Sequence, residues 1–246
     1  MSPPAEEREG HSAEFERDLE NTNAGIALDL EPDSDVLLIV FSGLLGRLGP
    51  VPVFEFFNSV SSFGVKKAFL RDLTQSWYHR GVEGIGADVP AIADYLAKLI
   101  AESGATRTVL VGNSAGAYAA LLFGQLLDVD EVHAFSPQSF IDPDLRTQHD
   151  DHRWQVYVDR VVAAGGPDPR FADLLPILSR GGVRTTFHVY FPAPNRLENL
   201  HSLRLSGIES VIPHPVDGGG HKLIKWLRDT GELTQILERA LGSQVR

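Results

Sequence analysis

Gly112-Asn113-Ser114-Ala115-Gly116 holds the residue types from which a nucleophile can be made. It is preceded by Thr108-Val109-Leu110-Val111, which reads as a buried strand, and followed by a run of small apolar residues, 117–123, which reads as a helix. The pattern G-x-S-x-G in a strand–turn–helix setting is a nucleophile elbow. The flanking glycines leave room that a Cβ would fill, so the chain can turn sharply enough to raise the serine hydroxyl above the sheet edge. The amide of Ala115 then points at the same place, the N-terminus of a helix, where developing negative charge is favoured.

A serine hydroxyl is a weak nucleophile at neutral pH and needs a base within hydrogen-bond reach. In the chain order serine, acid, histidine, the base follows the last strand. His221 stands there, after the glycine run Gly218-Gly219-Gly220, with Leu223, Ile224, Trp226 and Leu227 on the helix that anchors its loop. The carboxylate that orients the base is expected after the preceding strand, where Phe191-Pro192-Ala193-Pro194-Asn195-Arg196-Leu197-Glu198 offers Glu198. Asp142, Asp144, Asp217 and Asn195 remain as alternatives. Two donors must hold the oxyanion. One is the Ala115 amide, and the other is expected from Ser42-Gly43-Leu44-Leu45-Gly46, with Leu44 chosen because Gly43 lets the backbone approach closely. Gly43, Asn113, Asp72 and Trp77 are the candidate pocket residues, although Asp72 reads equally well as a helix cap or a buried structural acceptor. His149-Asp150-Asp151-His152 has the residue types of a divalent-cation site, but on a polar loop before a helix such residues cap and solvate.

These residues need a scaffold, and the rest of the chain supplies one. From residue 23 onward, strand-like runs (36–41, 67–72, 108–111, 131–135, 185–191 and 210–212) alternate with helix-like ones (89–101, 117–123, 198–205, 222–228 and 233–241). That alternation predicts an α/β fold: a mostly parallel central sheet with helices on both faces. A small helical insertion is expected at about residues 136–182, after the strand that follows the nucleophile helix. The organisation is therefore one domain over residues 23–246, preceded by an acidic tail, 1–22, expected to be disordered. With 246 residues and a net charge of −11, the chain suits neither nucleic acid nor an anionic membrane surface. It has no cysteine, which excludes disulfides, thiol catalysis and thiolate metal sites. The N-terminal segment lacks the apolar core of a secretory signal, and no apolar run is long enough to span a bilayer, so a cytoplasmic location is expected.

With Gly112-Asn113-Ser114-Ala115-Gly116, the Ser42 to Gly46 loop and His221 in this order, the chain resembles the α/β-hydrolase superfamily over nearly its whole length. Phe69-Leu70-Arg71-Asp72 with Trp77-Tyr78, Ala134-Phe135-Ser136-Pro137-Gln138 and Asp151-His152-Arg153-Trp154 narrow the resemblance to compact bacterial members. The oxyanion segment departs from many lipases in lacking a histidine and extra glycines, and the acid would be glutamate instead of the commoner aspartate. The resemblance implies a serine hydrolase with no metal and no organic cofactor, acting on a small-molecule carboxylic ester or thioester. An acyltransferase using the same triad and a non-catalytic hydrolase-fold binding module are the alternatives.

Overall fold

The computed structural model describes residues 12–44 and 54–242, the side chain of His221 excepted. Among the described residues, seven strands form one sheet: β1 Ile26–Asp29, β2 Val36–Phe41, β3 Lys66–Leu70, β4 Arg107–Asn113, β5 Glu131–Phe135, β6 Thr186–Pro192 and β7 Val211–Val216. Their order is β1-β3-β2-β4-β5-β6-β7. Only β1 runs antiparallel to its neighbour; the remaining five pairings are parallel.

The strands that flank the elbow are apolar almost continuously because both faces of the sheet are covered. On β2, Leu37, Ile39 and Phe41 enter one core while Leu38 and Val40 enter the other. The first core lies under α3 (Val89–Glu102), α4 (Ala115–Leu127) and α7 (Leu174–Leu178). The second lies under α1 (Ala13–Glu20), α9 (Leu223–Asp229) and α10 (Glu232–Leu241). Two further helices, α5 (Pro143–Gln148) and α6 (Gln155–Ala163), join α7 in the segment between β5 and β6, and α8 (Arg196–Leu203) follows β6. α2 (Phe57–Val60) is a single turn before β3.

The N-terminal segment departs from the expected disordered tail. Residues 1–11 lie outside the described residues, but Ala13–Glu20 is a helix capped by Ser12. Phe15 explains it: the ring is fully buried against Phe57 and Phe69, an apolar anchor in an otherwise acidic stretch. The three helices between β5 and β6 are short. Among the described residues, no helix is long and apolar enough to cross a membrane.

Candidate active site

Ser114 stands between β4 and α4 with φ 55° and ψ −117°, a backbone conformation rare for a residue with a Cβ. Two close approaches hold it there. A Cβ on Gly112 would lie 2.2 Å from the Gly116 carbonyl oxygen, and one on Gly116 would lie 2.1 Å from the Phe41 carbonyl oxygen. The glycines of the motif therefore let the start of α4 pack against its own strand and against β2. The Ser114 amide donates to the Phe135 carbonyl at 2.9 Å, which ties the elbow to the end of β5.

The serine hydroxyl has a partner that the sequence reading did not assign to the site. Gln138 Nε2 donates to Ser114 Oγ at 3.1 Å, and Gln138 Oε1 accepts from Trp77 Nε1 at 3.0 Å. Gln138 is buried and lies three residues past β5, at the carboxyl edge of the strand beside the nucleophile strand. That position, where ligands bind in parallel sheets, was the available signal.

Trp77 is fully buried and stands behind Gln138. Asp72 positions it. Asp72 Oδ1 accepts from the Thr74 amide and hydroxyl, and Oδ2 accepts from the Ser76 amide and hydroxyl and from the Tyr78 amide. These bonds hold a loop in which Gln75, Trp77 and Tyr78 all have positive φ. In this geometry Asp72 is a buried structural acceptor.

The loop after β2 lies beside the elbow. A Cβ on Gly43 would sit 3.6 Å from Ser114 Cβ and 2.8 Å from the Asn113 carbonyl oxygen, so this position also requires glycine. Tyr78 Oη donates to the Ser42 carbonyl at 2.9 Å. Glu55 fixes the other side: Oε2 accepts from the Gly43 amide and Oε1 from Asn113 Nδ2, both at 2.8 Å. Its own amide donates to Ser42 Oγ at 3.1 Å. Burial pushes the Glu55 carboxyl up, against the two hydrogen bonds that favour the carboxylate. Gly43 and Asn113 are thereby occupied with positioning. Among the described residues, the amides of Leu44 and Ala115 meet no protein acceptor. Residues 45–46 of the expected oxyanion segment lie outside the described residues.

His221 is on a 3₁₀ turn, Gly220–Lys222, directly before α9, and its side chain lies outside the described atoms. Glu198 is buried in the first turn of α8, where its Oε1 accepts from Arg153 Nη1 at 2.8 Å. Arg153 also forks onto Asp151, with Nε to Oδ1 at 3.0 Å and Nη2 to Oδ2 at 3.1 Å. Asp151 Oδ2 accepts from His201 Nε2 at 2.9 Å, and His201 Nδ1 accepts from the Ser139 amide at 2.9 Å. Burial works to raise the Asp151 carboxyl, but the bonds from His201 and Arg153 overcome it and hold the group well below the usual range. This chain of contacts links Glu198 to the residue that follows Gln138. It also accounts for the His149 to His152 segment, where Asp151 is consumed internally and His152 pairs with Asp150 on the surface. Among the alternative acids, Asp142 caps α5 and Asn195 caps α8. Asp144 lies in the first turn of α5, and Asp217 is exposed just past β7.

No protein-family model matches the sequence, and no curated protein matches it. Solved structures do match. The capsule O-acetyltransferase of Neisseria meningitidis serogroup A superposes with a TM-score of 0.64 at 14% identity, covering 88% of this chain and 90% of the other. MGS-M2, an alpha/beta hydrolase enzyme from a deep-sea metagenome library, gives 0.56 at 14% identity, over 89% and 94%. A lipase-esterase related protein from Clostridium acetobutylicum gives 0.53 at 13% identity, over 87% and 98%. Identities this low speak for architecture and not for chemistry. In architecture, this chain has an α/β-hydrolase fold.

Proposed function

We propose that the protein is a serine enzyme that forms an acyl-enzyme on Ser114 from a small carboxylic ester or thioester. The observation that carries this reading is the strained elbow with its hydroxyl held by Gln138, where the amides of Leu44 and Ala115 meet no protein acceptor among the described residues. In the reaction, His221 takes the Ser114 proton as Oγ attacks the carbonyl carbon. The oxyanion is held by the two amides. His221 then returns the proton to the departing alcohol or thiol, leaving Ser114 acylated. Glu198 orients His221 and stabilises its imidazolium, with Arg153 holding the carboxylate from the other side. Water activated by His221 releases the acid and restores Ser114.

The same intermediate can be intercepted by a hydroxyl acceptor, which makes acyl transfer the second reading. The capsule O-acetyltransferase that shares this architecture is a precedent for a transferase on such a scaffold. Both readings predict labelling of the wild type by a fluorophosphonate probe and none of Ser114→Ala or His221→Ala. A folded wild type that resists the probe overturns both. Product analysis of a p-nitrophenyl acetate reaction with and without added sugar alcohols then separates hydrolysis from transfer.

A further inference from the structure

Beyond the serine site, a second cluster of chemically capable side chains occupies the far end of the sheet. On β5, Val132 and Ala134 enter the first core, which turns Glu131, His133 and Phe135 to the opposite face. On β6, Phe187 and Val189 do the same, which turns His188 and Tyr190 to that face. His133 and His188 are direct cross-strand partners, and His214 follows on β7 as the partner of Tyr190. One donor atom from each of Glu131, His133 and His188 lies within 4.8 Å of the other two.

We propose that Glu131, His133 and His188 form a binding site for a divalent first-row transition-metal ion such as Zn²⁺. Two imidazoles and one carboxylate are a donor set that such ions take and that Mg²⁺ and Ca²⁺ do not favour. The closest pair, His133 Nε2 and Glu131 Oε2, is 3.2 Å apart, near the roughly 3.3 Å that neighbouring donors keep on a tetrahedral zinc ion with bonds of about 2.0–2.1 Å. The wider spacings, those to His188, stay within 4.8 Å. Each ligand already has an outer partner. Arg107 Nη2 holds Glu131 Oε1 at 2.7 Å, Tyr190 Oη holds His133 Nδ1 at 3.2 Å, and His214 Nε2 meets His188 Nδ1 at 2.9 Å. Such outer contacts fix the tautomer and orientation of metal-binding side chains.

The competing explanation is a purely structural aromatic stack, since the His133 and His188 rings lie 4.8 Å apart and 10° from parallel. Apolar rings would do that job without burying imidazole nitrogens, and a carboxylate would have no part in it. Access also favours an ion. Glu131 keeps 28% of its side-chain surface, and Ile212 on the same face is 42% exposed. The site lies about three residues back along the strands from the level of Ser114, roughly 10 Å at a rise of about 3.3 Å per residue. Its role is a cross-strand clamp joining β5 to β6, separate from the serine chemistry.

Calorimetric titration of the chelator-treated full chain with ZnSO₄ tests the proposal, with MgCl₂ as the comparison. One equivalent of Zn²⁺ is expected to bind, with no Mg²⁺ binding, and with affinity lowered at least tenfold in both His188→Asn and Glu131→Gln. His152→Gln, on the exposed loop, should bind as the wild type does. Thermal unfolding should rise by several degrees with Zn²⁺ in the wild type and not in the two ligand variants, a readout that also shows whether they are folded. Absence of saturable binding overturns the site, as does unchanged binding in both ligand variants or equal binding of Mg²⁺.

Discussion

Glu55 illustrates how one side chain can matter without touching the reacting atoms. Its two oxygens bind the Gly43 amide and Asn113 Nδ2, so one carboxylate spans the loop that offers Leu44 and the residue before Ser114. Removing it leaves two donors unpaired and lets the Leu44 amide drift from the place where an oxyanion forms. Loss of an oxyanion donor outright costs about 10²–10³ in kcat. Glu55→Ala is therefore expected to lower kcat on an activated ester by about tenfold or more with KM little changed, and Glu55→Gln, which keeps one acceptor, should fall between. A change in KM alone would show that Glu55 only shapes the binding site. Gln138→Ala tests the other contact of Ser114. It should slow fluorophosphonate labelling while leaving the unfolding midpoint within a few degrees, and an unchanged labelling rate would remove Gln138 from the site. Of the two, only Gln138 left a signal in the sequence, its place at the carboxyl edge of the sheet. Ser114 announces itself because strand, turn and helix each leave a mark, whereas Glu55 is a lone carboxylate between two phenylalanines and makes its contacts across the fold.

The same division between local and distant causes runs through the elements. The strands flanking the elbow could be read directly, since residues buried on both faces must be apolar along their length. The strand read at residues 67–72 shows where that rule ends: β3 stops at Leu70, and Arg71 and Asp72 are buried polar residues organising the loop beyond it. Arg71 donates to the Ala24 carbonyl at 2.5 Å, a tertiary contact that no local pattern reveals. β1 and α1 were missed for a related reason. Each is short, and each is held by what it packs on: β1 by antiparallel pairing with β3, and α1 by the burial of Phe15. Asp72 gives a prediction at this scale. Asp72→Ala strips acceptors from three backbone amides in a loop with three residues at positive φ. A single buried donor left unpaired costs about 1–3 kcal/mol, so with partial rescue by water urea unfolding should show a loss of about 2–4 kcal/mol. A loss below about 1 kcal/mol, the least that one such donor costs, would mean the loop holds its shape without the carboxylate.

At the scale of the whole molecule, two buried histidines couple folding to pH. His79 Nδ1 accepts from the Asp168 amide at 3.0 Å, and its Nε2 meets Tyr118 Oη at 2.9 Å. A ring that accepts at Nδ1 carries its single proton at Nε2, so a second proton would face the Asp168 amide instead of an acceptor. Burial lowers His79 to about 4, only partly opposed by Asp168. His201 is held in the same way between the Ser139 amide and Asp151, and burial lowers it too, against the opposing pull of Asp151. In both cases the unfolded chain binds a proton more readily than the folded one, so stability must rise with pH across the interval between the two pKa values. For His79 that interval runs from about 4 to the ordinary value near 6.5. Above it the folded state keeps its full advantage. As pH falls through it, the unfolded state gains about 1.4 kcal/mol for each pH unit, so the contribution of His79 at neutral pH is of the order of a few kcal/mol. Unfolding free energies measured in urea between about pH 4 and 7 should therefore fall steadily below about pH 6.5. His79→Gln, which can still accept from the amide and donate to Tyr118 but cannot titrate, should flatten the part of that slope due to His79 while leaving the part due to His201. A variant whose pH slope matches that of the wild type would show that His79 is reached by solvent and protonates without loss. The two histidines tie the segment between β5 and β6 to the remainder of the fold, His79 through Asp168 and His201 through Ser139 and Asp151. Mild acid should therefore weaken the anchoring of this segment, and with it the residues next to Gln138.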